Sequence, residues 1–254
     1  MNENNFSELV NIIRRLRVEC PWDREQTNDS IKAATIEEAY EVVESIDNKD
    51  FNELKIELGD LLLHVIFHSV IAEEENKFKL DEVIDSIKAK LIRRHPHVFG
   101  NVEVNGADDV KKNWETIKLS EGRDSVLEGV PENLPALQKA YRLQEKASKV
   151  GFDWDNKDDV WKKVIEEIEE MHKSEKEETH QELENEVGDV FFAMVNYSRF
   201  LGINPEYALR NSIKKFIKRF NYIEDKINES GRKINESSLE EMDKYWNESK
   251  KQKS

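Results

Sequence analysis

Eight carboxylates fall in two matched sets along this chain. The first is Glu38 and Glu41 followed by Glu57 and Asp60; the second is Glu167 and Glu170 followed by Glu186 and Asp189. Each acid of the second set lies 129 residues after its counterpart, as 167 less 38 and 189 less 60 both give. The neighbours match as well. Glu37-Glu38 is echoed by Glu166-Glu167, and E-L-G-D at 57–60 by E-V-G-D at 186–189. Residues three or four apart share a helix face, so each pair points one way. If the two acidic helices of a set pack antiparallel, four carboxylates converge. Two like charges about 4 Å apart repel by roughly 4 kcal/mol at an effective dielectric of about 20. Such a cluster needs protons or cations. Ligands that are all oxygen suit Mg2+, Mn2+ or Ca2+, and Mg2+ keeps waters and leaves positions for substrate phosphates.

A lone E-x-x-E in a chain that is 37% charged reads as a solvated helix face. Two features point instead to a metal site. The pattern recurs with every acid in register, and it adjoins apolar runs, L-L-L-H-V-I-F at 61–67 and V-F-F-A-M-V at 190–195. His64 and His68 follow Asp60 on the same face. A di-iron bundle needs Glu-x-x-His pairs on two helices, and the second copy has Ala193 and Tyr197 at these places. The histidines therefore read as core groups or supports for the acids.

The elements that must carry these residues are helices. Gly 9 and Pro 5 are few for 254 residues, and no run of alternating strands stands out. The expected fold is all-α, two tandem duplicated helical-bundle domains. Helices are predicted over Phe6–Val18, Ser30–Ile46, Asn52–Glu75, Leu80–Arg94 and Asp108–Leu119, with a loop C-P-W-D-R-E-Q-T after the first. Thr35 to Glu38 could form a local capping box if the second helix restarts there. The plan then repeats. Leu137–Val150 stands for the first helix and G-F-D-W-D at 151–155 for the tryptophan loop. Asp159–Ser174, Glu178–Leu201, a helix opened by Asn204-Pro205 and running to Ile227, and Leu239–Lys250 follow. Gly122, Gly129, Pro131 and Pro135 mark a break. The domains expected are 1–120 and 136–254, with a linker at 121–135. Gly59 and Gly188 sit inside predicted helices at a cost of about 1 kcal/mol relative to alanine, which suggests a close helix approach.

A formal charge of −15, from 54 Asp+Glu against 39 Lys+Arg, argues against nonspecific nucleic-acid binding. It does not exclude an anionic substrate, because metal ions invert the local field. No apolar run approaches the roughly 20 residues of a membrane span, and the N-terminus lacks the pattern of a signal peptide. The single Cys20 cannot form an intramolecular disulfide. A reduced, cytoplasmic setting is expected. Each half also has a basic helical stretch. Lys90, Arg93 and Arg94 correspond to Lys215, Lys218 and Arg219. The first set can complement a helix C-terminus; the second lies in mid-helix, where cations could meet phosphate oxygens.

E-E-x-x-E with E-x-G-D, C-P-W-D-x-E-Q-T at 20–27, R-R-H-P-H-V-F at 93–99 and V-G-F-D-W at 150–154 resemble the MazG nucleoside triphosphate pyrophosphohydrolases over essentially the whole chain. The resemblance implies Mg2+-dependent hydrolysis (Mn2+ a substitute) of nucleoside triphosphates between the α and β phosphates, giving a monophosphate and pyrophosphate. It also implies broad base specificity, a house-cleaning role, an all-α fold and a homodimer, with the C-terminal half carrying hydrolysis. The matching metal positions are Glu167, Glu170, Glu186 and Asp189, with Glu38, Glu41, Glu57 and Asp60 as a second candidate site. Nucleotide contacts map to Lys163, Glu166, Glu167, Asp189, Lys215, Lys218, Arg219 and Trp246. Glu166 and Glu167 are the expected catalytic residues, Glu166 as the group that orients or deprotonates water. Glu182 departs from the lysine that some members carry. Two alternatives stay open from the residues alone: a non-catalytic helical interaction module, and a phosphatase releasing inorganic phosphate.

Overall fold

The structure, a computed structural model, describes residues 3–106, 109–110, 113, 117, 125–177 and 179–251. Among them there are helices and turns but no strand, so the all-α expectation holds. The predicted helix over Asp108–Leu119 falls largely outside the described residues. The chain divides into two compact units, Met1–Val110 and Lys111–Ser254.

The first unit holds α1 (Glu3–Glu19), α2 (Pro21–Glu25), α3 (Asn28–Asn48), α4 (Phe51–Glu74), α5 (Leu80–Arg94) and α6 (Pro96–Phe99). Its main body is the α3–α4 hairpin, with α1 against α4. The hairpin begins at a capping box, in which Thr27 Oγ1 accepts from the Ser30 N–H at 3.1 Å and Ser30 Oγ from the Thr27 N–H at 2.9 Å. Helix α3 ends where Lys49 turns left-handed (φ 56°), and Asp50 caps α4 by accepting from the Asn52 and Glu53 N–H groups. Only Lys49 and Asp50 separate the two helices, so they must run antiparallel. The core joins Val10, Ile13, Ile31, Ile66, Phe67, Val70, Ile71 and Leu80. Arg17 is buried to 7% exposure and ties the tryptophan loop down, donating to the Asp23 and Gln26 carbonyls and to Glu74.

Two expectations are corrected here. The loop C-P-W-D-R-E-Q-T contains the short helix α2, which starts at Pro21 because proline suits a first helical turn. Helix α3 runs without a restart at Thr35, whose hydroxyl donates back to the Ile31 carbonyl at 3.2 Å instead of capping.

The second unit holds α7 (Ala136–Ser148), α8 (Lys157–Glu177), α9 (His180–Phe200), α10 (Pro205–Glu229), a 3-10 turn (Ile234–Glu236) and α11 (Leu239–Ser249). Helices α8 and α9 make the hairpin equivalent to α3–α4, α7 packs on α9, and α11 packs on α10. Asn204 caps α10 through the Tyr207 N–H, with Pro205 at the first turn. Val160, Val164, Val195, Ile223 and Ile227 are buried. In the segment expected as a linker, Val126 accepts a hydrogen bond from buried Lys146 Nζ at 3.1 Å, so this stretch is fastened to the second unit.

The glycine expectation is also corrected. A Cβ built on Gly59 or Gly188 meets no atom within 4 Å. Both glycines face open space, and no described helix crosses them closely.

Candidate functional site

The helical hairpins bring the acids together. In the second unit, Glu167 from α8 and Glu186 and Asp189 from α9 each place a carboxylate oxygen within 4.8 Å of the others. In the first unit the compact group is Glu38, Glu41 and Glu57. Each triad draws on both helices of its hairpin, as the spacing required. Glu170 and Asp60 stand outside these compact triads, on the same helix faces. Glu167 and Glu57 are the buried members, each 8% exposed. Such sets of oxygen donors fit a hard divalent cation.

The electrostatics of the first triad show the cost of bare carboxylates. Burial pushes the Glu57 carboxyl up to about 7, helped by a hydrogen bond with Glu53 and by the charges of Glu41, Glu53 and Asp60. Glu38 is also raised, by burial and then by Glu41 and Asp60. Beside it lies a half-buried polar chain. His68 Nδ1 meets Asn28 Oδ1 at 2.6 Å, His68 Nε2 meets Thr35 Oγ1 at 2.8 Å, and Thr35 Oγ1 meets His64 Nδ1 at 2.9 Å. These contacts link Asn28, His68, Thr35 and His64 in series. His64 Nε2 is turned toward Glu38 Oε1, 3.9 Å away. Burial and the neighbouring His64 lower the basicity of His68. The histidines stand beside the acid triad and outside it.

The second triad has a cation instead. Lys163 Nζ lies 2.7 Å from both Glu166 Oε1 and Glu167 Oε1. Its hydrogen bonds to Glu166 and Glu167 raise the ammonium above its ordinary range. Three of the expected site residues, Lys163, Glu167 and Asp189, line one cavity of about 700 Å³. The rest of the wall comes from residues to which sequence reasoning assigned no role: Gln144, Phe152, Trp154, Phe192, Asn196 and Arg199 among them. Arg199 grips both oxygens of Asp153, at 3.0 Å for the longer bond, and thereby fastens the G-F-D-W loop to α9. The aromatic loop was visible in the sequence; its partner 46 residues away carried no signal.

Lys215, Lys218 and Arg219 line a different cleft, together with Tyr222 and Lys250. Trp246 packs beside it, with the Arg219 guanidinium over its ring at 5.4 Å and Phe216 at 5.5 Å. Glu182, which stands where some relatives carry lysine, forms the capping box of α9 with Thr179, and those bonds lower its carboxyl. The motif T-x-x-E at 179–182 was a legible signal for that role.

The fold and the site define an all-α protein in which two helical hairpins each gather acids from both of their helices. Comparison with known proteins fits this. The model of the MazG nucleotide pyrophosphohydrolase domain matches residues 26–99 and 156–223, one stretch around each triad. The chain is 43% identical over 250 residues to the nucleoside triphosphate pyrophosphohydrolase/pyrophosphatase MazG of Thermotoga maritima, covering 96% of this chain and 95% of that one. It is 40% identical over 258 residues to a nucleoside triphosphate pyrophosphohydrolase of Escherichia coli K12, covering 98% of each. An uncharacterized protein of Bacillus subtilis, YabN, is 48% identical over 253 residues, 97% of this chain and 52% of that protein. The chain belongs to the MazG nucleotide pyrophosphohydrolase family, with the domain present twice. No described helix is long and apolar enough to cross a membrane.

Proposed function

We propose that this protein is a Mg2+-dependent nucleoside triphosphate pyrophosphohydrolase, active in its C-terminal unit, that cleaves between the α and β phosphates of ribo- and deoxyribonucleotides. The observation that carries this reading is the triad Glu167, Glu186 and Asp189, of which Glu167 and Asp189 line a cavity together with Lys163. Glu170, one turn from Glu167, adds a carboxylate to the set that would hold the metal. When bound, Mg2+ supplies positive charge to phosphate oxygens and makes water more acidic. The protein's own residues do the rest. Glu166 orients a water and takes its proton as the oxygen attacks a phosphorus in line. The α–β anhydride bond breaks and pyrophosphate leaves. Lys163 releases its carboxylates to meet phosphate oxygens. Lys215, Lys218 and Arg219 add further cations, with Trp246 holding Arg219 in place and walling off the nucleotide. Broad base tolerance suits a house-cleaning role.

A homodimer is part of this reading. Leu58, Leu62 and Val65 on α4 and Phe191, Phe192 and Met194 on α9 are exposed large apolar residues beside the acids. A two-fold partner would cover them and could carry the basic cleft of one subunit to the acids of another. Light scattering should give about 60 kDa, twice the chain mass of 29.9 kDa; an active monomer overturns the dimer.

The test of the activity is a panel of canonical and modified triphosphates with Mg2+, products resolved. Monophosphate plus pyrophosphate is expected, abolished by EDTA and restored by Mg2+ or Mn2+. Inorganic phosphate as first product would show a phosphatase. No product from any triphosphate would leave an interaction module.

A further inference from the structure

The tryptophan loop of the second unit leaves α7 through Gly151, which is left-handed (φ 87°), and the Phe152 N–H then donates to the Ala147 carbonyl at 3.2 Å. Phe152 and Trp154 stand in the wall of the acid cavity, yet they are 82% and 45% exposed. They form its rim. The side chain between them holds them there. Asp153 Oδ1 accepts from the Trp154 N–H at 2.9 Å, and both Asp153 oxygens accept from Arg199 of α9. Arg199 is set in turn by two bonds to Asn196 Oδ1, at 2.9 and 3.1 Å, and its side chain is 13% exposed. A guanidinium is a rigid planar fork, so this pairing fixes a direction as well as a distance.

The first unit fastens its loop differently. Trp22 corresponds to Trp154 at a shift of 132, which puts Pro21 where Asp153 stands, and Arg199 corresponds at a shift of 129 to Val70 of the core. There Arg17 of α1 holds the Asp23 and Gln26 carbonyls. The side-chain pair thus belongs to the second unit, and it ties the loop to the helix that carries Glu186 and Asp189.

We propose that Arg199 and Asp153 are positioning residues for the substrate: their ion pair sets Phe152 and Trp154 as an aromatic strap against the nucleotide. The inference rests on the hydrolase reading, which puts the phosphates at Lys163, Glu167 and Asp189. These form one part of the cavity wall and the strap another, in a space of about 700 Å³ that suits a small ligand. A nucleotide with its phosphates at the acids lies along both. The rings touch it away from the bond that breaks. Their contact is the same before and in the transition state, so it lowers KM and leaves kcat alone.

The test is ATP hydrolysis by the full-length protein with Mg2+, together with the calorimetric Kd of the ATP analogue whose α–β bridge is a methylene. Asp153→Asn and Phe152→Ala should each raise KM and Kd by about tenfold, the usual worth of one aromatic stacking contact. The kcat should stay within about twofold of the wild type. Arg199→Lys added to Asp153→Asn should cost no more than Asp153→Asn alone, because both changes break one pair. Phe152→Ala removes an exposed ring, so it decides the matter if Asp153→Asn folds poorly. Unchanged KM and Kd in Phe152→Ala would overturn the proposal. So would a fall in kcat at constant KM, or a mass below that of the wild type in light scattering, which would make the loop a subunit contact. Tenfold weaker binding of the analogue by variants of a protein that hydrolyses no triphosphate would remove the hydrolase reading and leave the strap supported.

Discussion

The two units share their acids and differ in several of the side chains packed around them. At the same 129-residue spacing, Ala34 corresponds to Lys163, Thr35 to Val164, His64 to Ala193 and His68 to Tyr197. In the first unit the acids meet a histidine held through Thr35 to a second histidine and Asn28. In the second unit those polar groups are gone. Val164 is fully buried, Tyr197 packs on Trp161 at 5.0 Å between ring centres, and Ala193 lines the cavity. A small side chain at 193 leaves space beside the acids, where position 64 of the first unit carries an imidazole. The first triad has no lysine in the place of Lys163, and two of its carboxyls are held high. A duplicated ligand set thus does not imply a duplicated activity. The Lys163 cation and the small Ala193 side chain set the second site apart.

The largest test of this contrast is removal of one acid from each unit. Asp189→Ala should lower kcat/KM for ATP by about a hundredfold or more, since a lost carboxylate weakens both the cation and the charge pattern around it. Asp60→Ala should change it less than about threefold. The reverse ranking, read from steady-state kinetics, would assign activity to the wrong unit here.

Lys163→Ala converts the second triad toward the first. It should cost about tenfold to a hundredfold in kcat/KM, the usual loss when a charge stabiliser leaves an active site. An unchanged rate would show that the Lys163 bridge only balances the acids at rest.

The polar chain gives a stability test. Thr35→Val strands His64 Nδ1 and His68 Nε2 and should destabilise the protein by about 1–3 kcal/mol in urea unfolding. Val164→Thr puts a hydroxyl into an apolar interior, where only the carbonyl one turn back can accept from it, and should cost roughly 1 kcal/mol. If both are tolerated, the two interiors are interchangeable and the contrast is superficial.

Glu57 supplies the pH dependence. Its folded carboxyl titrates near 7, above the ordinary 4.5, so between these values the folded state holds a proton that the unfolded state has lost. Stability of the metal-free protein should therefore fall as pH rises from about 5 to about 7 and then level off. Glu57→Gln should flatten that slope in thermal melts. A slope unchanged by the substitution would refute the assignment.

The smallest effect concerns the helix glycines. Because nothing lies within 4 Å of a Cβ at either place, Gly188→Ala and Gly59→Ala should each stabilise the isolated chain by up to about 1 kcal/mol. Loss of activity in Gly188→Ala alone, with stability gained, would show that substrate or a partner helix needs the open face in the second unit.

The sequence by itself determined the helices, the duplication and which acids could meet. Those follow from the three-to-four residue period, which is local and repeats in both halves. It also marked the G-F-D-W loop, while the one capping box it suggested, at Thr35, did not form. Tertiary structure decided which three acids of each set form the compact triad, since that depends on how far each hairpin helix is rotated against its partner. It decided that the glycines face open space. It also placed Gln144 against Phe192 and Arg199 against Asp153, at separations of 48 and 46 residues. No local pattern encodes such pairs. They exist because α7 and the loop after it fold back on α9, where burial fixes an amide and an ion pair that the linear chain keeps far apart.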